Sequence, residues 1–253
     1  MVKNLRFEAL FKSYLLLLGV FFCLESKSAT YYSDSGGGDP NSVAKWWTNT
    51  NNTGSNPANF GTVGDIFILQ AGHSFTTTNA WTVSVTLQVE GNLTIQTANS
   101  IKILTIKSGG IVTGSAQTTI STTGSGGEFN IEDGGKYIFN NTTTNTSTTL
   151  FNGTETFGTN STIEYQSFQT TAGAFATCLE ASSTNYGNII WNIQAGTTGY
   201  RLNTSSTSTR TINGDLTISK TGASGSVAWC GNTSVGKLTI GHQNKHTLHY
   251  LMR

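Results

Sequence analysis

The sequence predicts an all-β protein, a right-handed parallel β-helix (β-solenoid) with an aromatic cap at its N-terminal end. Three observations predict it. Short stretches alternate apolar and polar residues, the phrase G-x-L-T-I recurs, and glycines punctuate the chain at intervals near 20 residues. One turn of a β-solenoid needs about that length: two or three short strands and their corners, with the next turn stacked ~4.8 Å further on.

The first 28 residues stand apart from this pattern. Lys3, Arg6 and Lys12 make a basic start, and Tyr14 to Leu24 is an apolar run of 11 residues. Such a run is too short to span a bilayer, which takes about 20 residues. Ser26-Lys27-Ser28 then places small residues at the −3 and −1 positions of a cleavage site before Ala29, so residues 1–28 read as a signal peptide. Cys23 lies within the apolar run, but Val20-Phe21-Phe22 ahead of it lacks the small residue of a lipoprotein signal.

Residues 29–63 read as a cap segment. They hold Tyr31-Tyr32, the turn-rich stretch Ser33 to Pro40, and Trp46-Trp47. Terminal repeats of solenoids are atypical because they cover the exposed end of the stack. The four aromatics therefore read as a lid, with a sugar-stacking platform as the competing role. Asp34 and Asp39, with Ser and Gly between them, loosely follow an oxygen-rich calcium loop but lack its full ligand spacing.

Residues 64–241 carry the repeat. Val83, Val85, Leu87 and Val89 alternate with Ser84, Thr86 and Gln88, the period of a strand with one buried face. Gly91 to Ile95, Gly214 to Ile218 and Gly236 to Ile240 all read G-x-L-T-I, and Leu104-Thr105-Ile106 repeats the core of the phrase. Gly72, Gly91, Gly109 and Gly134 fall 19, 18 and 25 residues apart, and Gly196, Gly214 and Gly236 fall 18 and 22 apart. Glycine supplies the positive-φ corners that other residues resist. Seven to nine coils are expected. The competing arrangement is an antiparallel β-sandwich, for which Asn152-Gly153 and Asn213-Gly214 are hairpin signals. Few other strand pairs are joined by tight turns, which favours the solenoid. Asn141 to Thr149 reads as a lateral loop. Residues 242–253 are basic and nearly free of Gly, Thr and Ser, an irregular tail that suggests the repeat is truncated.

Charge narrows the functional classes. Without residues 1–28 the chain has 10 basic and 11 acidic residues. Binding to nucleic acid or anionic lipid rests on clustered Lys and Arg, so neither a nucleic-acid partner nor a membrane partner after signal cleavage is expected. Charged residues make up 11% of the chain against a usual quarter, leaving Thr, Ser, Asn and Gly to keep it soluble. Two prolines and 10% aromatics argue for a packed core over disorder. Cys178 and Cys230 are the cysteines outside the signal segment, either one disulfide or two buried thiols.

No catalytic residue, cofactor or metal site is assigned. The carboxylates from Asp34 to Asp215 are scattered, and only Glu132-Asp133 are adjacent. Polysaccharide hydrolysis needs two convergent carboxylates, and elimination needs a Lys or Arg base with a bound cation. Stacked coils would still bring residues such as Glu90 and Glu132 onto one ledge. His242, His246 and His249 have helix-like spacing but follow a strand and have no carboxylate nearby to orient a metal. His73, after Gly72, reads as a corner residue.

Ala29-Thr30-Tyr31-Tyr32-Ser33, Gly38-Asp39-Pro40-Asn41-Ser42, Trp46-Trp47 and Gly64 to His73 follow one another in an order that resembles the start of large secreted, Gly/Thr-rich surface proteins of Bacteroidetes-type bacteria. Tyr186 to Trp191, followed by Gly214 to Ile218, fits the same group. The resemblance covers most of residues 29–240 and implies a β-helical passenger, adhesin-like, of the kind exported with a C-terminal type IX sorting domain. No such domain is visible before Arg253. It carries no catalytic residues. The expectation is an exported structural or adhesive scaffold at the cell surface, with glycans or host-surface components as partners. A carbohydrate-active β-helix is the alternative.

Overall fold

The computed structural model describes residues 28–97, 99–114, 120–121, 127–145, 151–152, 154–170, 176–177, 185–194, 199–201, 210–221, 226–229, 233–240 and 249–250. The regular secondary structure of the described residues is β apart from the single 3₁₀ turn Val43–Lys45. Strands form curled sheets in which every pairing is parallel except that of Thr30–Ser33 with Trp46–Trp47. The hairpin-built sandwich is thereby replaced by parallel stacking, an arrangement consistent with a β-solenoid.

Two sheets carry the stack. The first contains Thr30–Ser33, Ile66–Leu69, Trp81–Val89, Asn99–Ile106, Glu128–Ile131 and Thr154–Phe157. The second contains Ser74–Thr77, Asn92–Ile95, Ile111–Gly114, Lys136–Asn145, Thr162–Thr170, Asn188–Ile193, Arg210–Thr221 and Thr233–Ile240, eight levels among the described residues. The chain passes from one sheet to the other through a tight corner, as at Gln70 to His73.

Alternation explains the core. On the second sheet Phe75, Leu93, Val112, Tyr137, Ile163, Ile189 and Leu216 are paired level by level and all buried. The first sheet answers with Phe67, Leu87, Leu104 and Phe129, in register and equally buried. Each residue covers its equivalent above and below, so the levels and the facing sheet together remove the apolar surface from water. Val83, Val85, Leu87 and Val89 all point inward, as their period requires.

The three complete G-x-L-T-I phrases occupy one place in the repeat. Leu93, Leu216 and Leu238 share one register column, and Ile95, Ile218 and Ile240 share the next. Leu104-Thr105-Ile106 differs: it lies on the first sheet, where the same in-out-in order serves the opposite wall.

Glycines divide into two kinds that the sequence reads as one. Gly72, Gly109 and Gly134 turn the corners at φ near +80°. Gly91 and Gly110 instead let one level approach the next: a Cβ on Gly110 would run into the carbonyl of Val89. Asn213-Gly214 is not a hairpin turn. It lies inside Arg210–Thr221 at a register shift, where Gly214 makes room for Asn188, whose Oδ1 accepts the Asp215 N–H at 2.9 Å. Coil length also varies. Ser74 pairs with Asn92 and Asn92 with Ile111, 18 and 19 residues on, whereas Ile111 to Lys136 and Lys136 to Thr162 are 25 and 26 apart.

Aromatic residues close the N-terminal end. Trp46 is fully buried, stacks on Trp81 at 6.1 Å, and meets Phe67 and Phe75 edge-on at 5.3 and 5.7 Å. Phe60 and Tyr31 pack against the same cluster. Of the four aromatics expected to form a lid, Tyr31 and Trp46 face inward, whereas Tyr32 and Trp47 oppose each other on the outer face, partly exposed.

Candidate functional site

The outer face of the second sheet carries an extended polar network. It begins with Lys136 and Glu164, on neighbouring strands and pointing away from the core, since Tyr137, Ile163 and Tyr165 point into it. Lys136 Nζ lies 2.5 Å from Glu164 Oε2. Glu164 Oε1 accepts hydrogen bonds from Gln166 Nε2 at 2.9 Å and Asn192 Nδ2 at 3.0 Å. Asn192 Oδ1 in turn accepts from Gln194 Nε2 at 2.7 Å, and Gln194 Oε1 accepts from Lys220 Nζ at 2.9 Å. The result is a strip, Lys136–Glu164–Asn192–Gln194–Lys220, running across four stacked strands.

Burial raises the pKa of the Glu164 carboxyl. Hydrogen bonds from Lys136, Asn192 and Gln166, together with the Lys136 charge, outweigh it and leave the group below the ordinary carboxylate range. A general base works best with a pKa near the operating pH and a lone pair free for the incoming proton. Glu164 is the reverse, ionised and already accepting from three partners. Its role in the strip is to align donors. The amides and the two ammonium groups offer hydrogen bonds to hydroxyl or carboxylate oxygens.

The corner between the two sheets holds a second charged column. Register extends from Leu69, Val89 and Ile106 to Ile131, so Gln70, Glu90, Lys107 and Glu132 follow one another level by level. The ledge expected for Glu90 and Glu132 therefore exists, but Lys107 stands between them. Two levels put their backbones ~9.6 Å apart, and Lys107 Nζ lies 2.5 Å from Glu132. Glu132 and Asp133 are corner residues, not strand neighbours. They part because Glu132 turns to Lys107 while Asp133 Oδ1 accepts the Asn160 N–H at 2.9 Å.

At the N-terminal end, Asp39 ties the turn-rich segment to a coil. Its Oδ2 accepts from the Thr78 hydroxyl at 2.6 Å and from Asn79 Nδ2 at 2.9 Å, and Oδ1 accepts from the Asn41 N–H at 3.0 Å. Desolvation raises its pKa; these bonds outweigh that and hold it below the ordinary value. Asp34 pairs with Lys45 at 3.2 Å. The two aspartates thus serve separate ties. Among the described residues no cluster of three His, Cys, Asp or Glu side chains is placed to hold a metal.

His73 occupies a corner and pairs with a residue that sequence reasoning did not single out. Its Nδ1 lies 2.8 Å from Ser33 Oγ, which also accepts the Gln70 N–H at 3.0 Å. A serine beside a histidine is the geometry of an activated nucleophile. Ser33 is fully buried, so its hydroxyl meets no substrate, and the pair locks the edge strand to the first corner. Cys178, Cys230, His242 and His246 lie outside the described residues. His249 falls in a two-residue strand with Tyr250 that pairs parallel with Ala228 and Trp229.

Comparison of the chain with protein-family models, curated proteins and solved structures finds no match. No described helix is long and apolar enough to cross a membrane.

Proposed function

We propose that this chain is an exported structural or adhesive surface scaffold built as a right-handed parallel β-helix, akin to the large Gly/Thr-rich secreted surface proteins of Bacteroidetes-type bacteria. The observation that carries the proposal is the registered apolar column from Phe75 to Leu216. It fills the interior level after level, so recognition falls to the outer faces. Right-handedness follows from the strong preference of parallel β-crossover connections for that hand. Residues 1–28 supply the export signal, and the outward Thr76, Thr94 and Thr113 keep the long walls wet without charge.

Expression of the full chain in an exporting bacterium tests the reading. Released or surface-labelled protein with a β-sheet circular-dichroism spectrum and adhesion of coated beads to glycan or cell surfaces are expected. A cytoplasmic product, or a helical spectrum, overturns it.

A carbohydrate-active β-helix is the second reading. The strip from Lys136 to Lys220 favours it, as do the outward Tyr32 and Trp47. Lysines beside amide groups fit an acidic polysaccharide, and partly exposed aromatic rings stack on sugars. Binding to an array of acidic glycans that is lost in Lys136→Ala/Lys220→Ala supports this reading. Unchanged binding, or none in the parent, removes it.

A further inference from the structure

The N-terminal edge carries a buried carboxylate beside the start of its first strand. Asp65 is 3% exposed, and its Oδ1 accepts the backbone N–H of Ala29 at 2.9 Å. Among the described residues this is the hydrogen bond its side chain makes. Ala29 is fixed from the other side as well, its carbonyl accepting the Ile66 N–H at 2.9 Å. Thr30 to Tyr32 then run in register with Ile66 to Ile68. Ser28, one residue earlier, is exposed.

A buried carboxylate with a single neutral donor is poorly compensated, since loss of hydration costs more than one amide returns. A cation at the same place would compensate it. Tyr31 lies close enough to feel this group: burial, and then the Asp65 charge, push its phenol above its ordinary value.

We infer that the Ser28–Ala29 peptide bond is the export processing site and that Asp65 is the receptor for the α-ammonium its cleavage creates. The inference rests on the export reading for residues 1–28. A signal peptidase adds one water across the bond. The C–N bond breaks, the water oxygen bonds to the Ser28 carbonyl carbon, and both water protons pass to the Ala29 nitrogen, leaving a carboxylate on Ser28 and an ammonium on Ala29. That nitrogen, protonated at neutral pH, becomes a three-proton cation in place of an amide donor, at an unchanged position. The neutral hydrogen bond thereby becomes a charge-assisted one, about twice as strong. Gly64 belongs to the same arrangement. It sits at φ +88°, and a Cβ there would lie 2.8 Å from that of Ser28. Having no side chain, Gly64 leaves the room that Ser28 occupies before cleavage.

The test uses the full chain expressed in an exporting host. N-terminal sequencing of the released protein is expected to begin at Ala29. The α-amine is then selectively acetylated, and urea unfolding of the two forms is compared. Acetylation is expected to lower the folded-to-unfolded ratio about tenfold in the parent and to leave Asp65→Asn unchanged, since no carboxylate remains to pair. If Asp65→Asn does not fold, the acetylation rate in the native parent decides. A paired amine reacts at least about tenfold more slowly than the amine of the same protein in urea. Released protein that retains residues 1–28 overturns the processing site together with the export reading. Protein that begins at Ala29, but whose midpoint and amine reactivity match those of a free terminus, overturns the Asp65 pairing alone.

Discussion

Replacing Trp46 with alanine tests whether the N-terminal aromatics are a lid or a ligand platform. The indole is fully buried among Phe60, Phe67, Phe75 and Trp81, with ring centroids 5.3 to 6.4 Å away, and its Nε1 donates to the Pro40 carbonyl at 2.9 Å. Truncating a buried aromatic to alanine costs about 3–5 kcal/mol. The Pro40 carbonyl loses its donor, worth about 1 kcal/mol more. A total near 5 kcal/mol is a large share of the ~5–15 kcal/mol that holds a domain folded. Trp46→Phe keeps the apolar plug and gives up the N–H, so a loss of about 1–2 kcal/mol is expected. Urea unfolding followed by far-ultraviolet circular dichroism measures both, and an exposed-hydrophobic dye reports opening of the first level. If Trp46→Ala loses less than about 1.5 kcal/mol, its ring is not the plug described above. If stability is kept while glycan binding disappears, the platform role replaces the lid.

Other outcomes follow from the same contacts. Gly110→Ala should destabilise by about 2 kcal/mol or more, because its Cβ meets the Val89 carbonyl and backbone must move, whereas an alanine at the open corner Gly72 bears only the positive-φ strain of about 1 kcal/mol. Paired thermal melts separate the two. Glu164 contributes stability that is present above its unfolded value of 4.5 and is lost as pH falls through the lowered folded value. Glu164→Gln should therefore flatten the loss of stability below about pH 4.5, and an acid limb identical to the parent's would contradict the network. Lys107→Ala removes an exposed pair and should change stability by no more than ~1 kcal/mol. Lys136→Met strands a buried carboxylate and should cost clearly more, as guanidinium titrations of the two variants will show.

Much of the wall was legible in the sequence, because strand periodicity is local. Val83 to Val89 and the G-x-L-T-I phrases at Gly91 to Ile95 and Gly214 to Ile218 announced which residues point inward, and those residues do. What the sequence withheld depends on register between coils. Glu164, Asn192 and Lys220 lie 28 residues apart in each step of the strip and signal nothing along the chain. Ser33 with His73 and Ala29 with Asp65 are 40 and 36 residues apart for the same reason. A steady glycine interval also hid two physical roles, a left-handed corner at Gly109 and a close approach at Gly110. Only the stacked backbone tells them apart.

The unequal coil lengths have a consequence for how such a wall can change. Between Asn92–Ile111 and Ile111–Lys136 the chain gains six residues, yet the inward columns continue without a step. In sequence the extra length falls between Ile111–Gly114 and Glu128–Ile131, a span that includes the short strand Ile120–Ser121. Even doubling a flexible connection adds only about 0.6 kcal/mol of closure entropy. Coil length can therefore vary while the registered columns keep their spacing. Such a wall can take insertions between its levels while its frame is inherited unaltered.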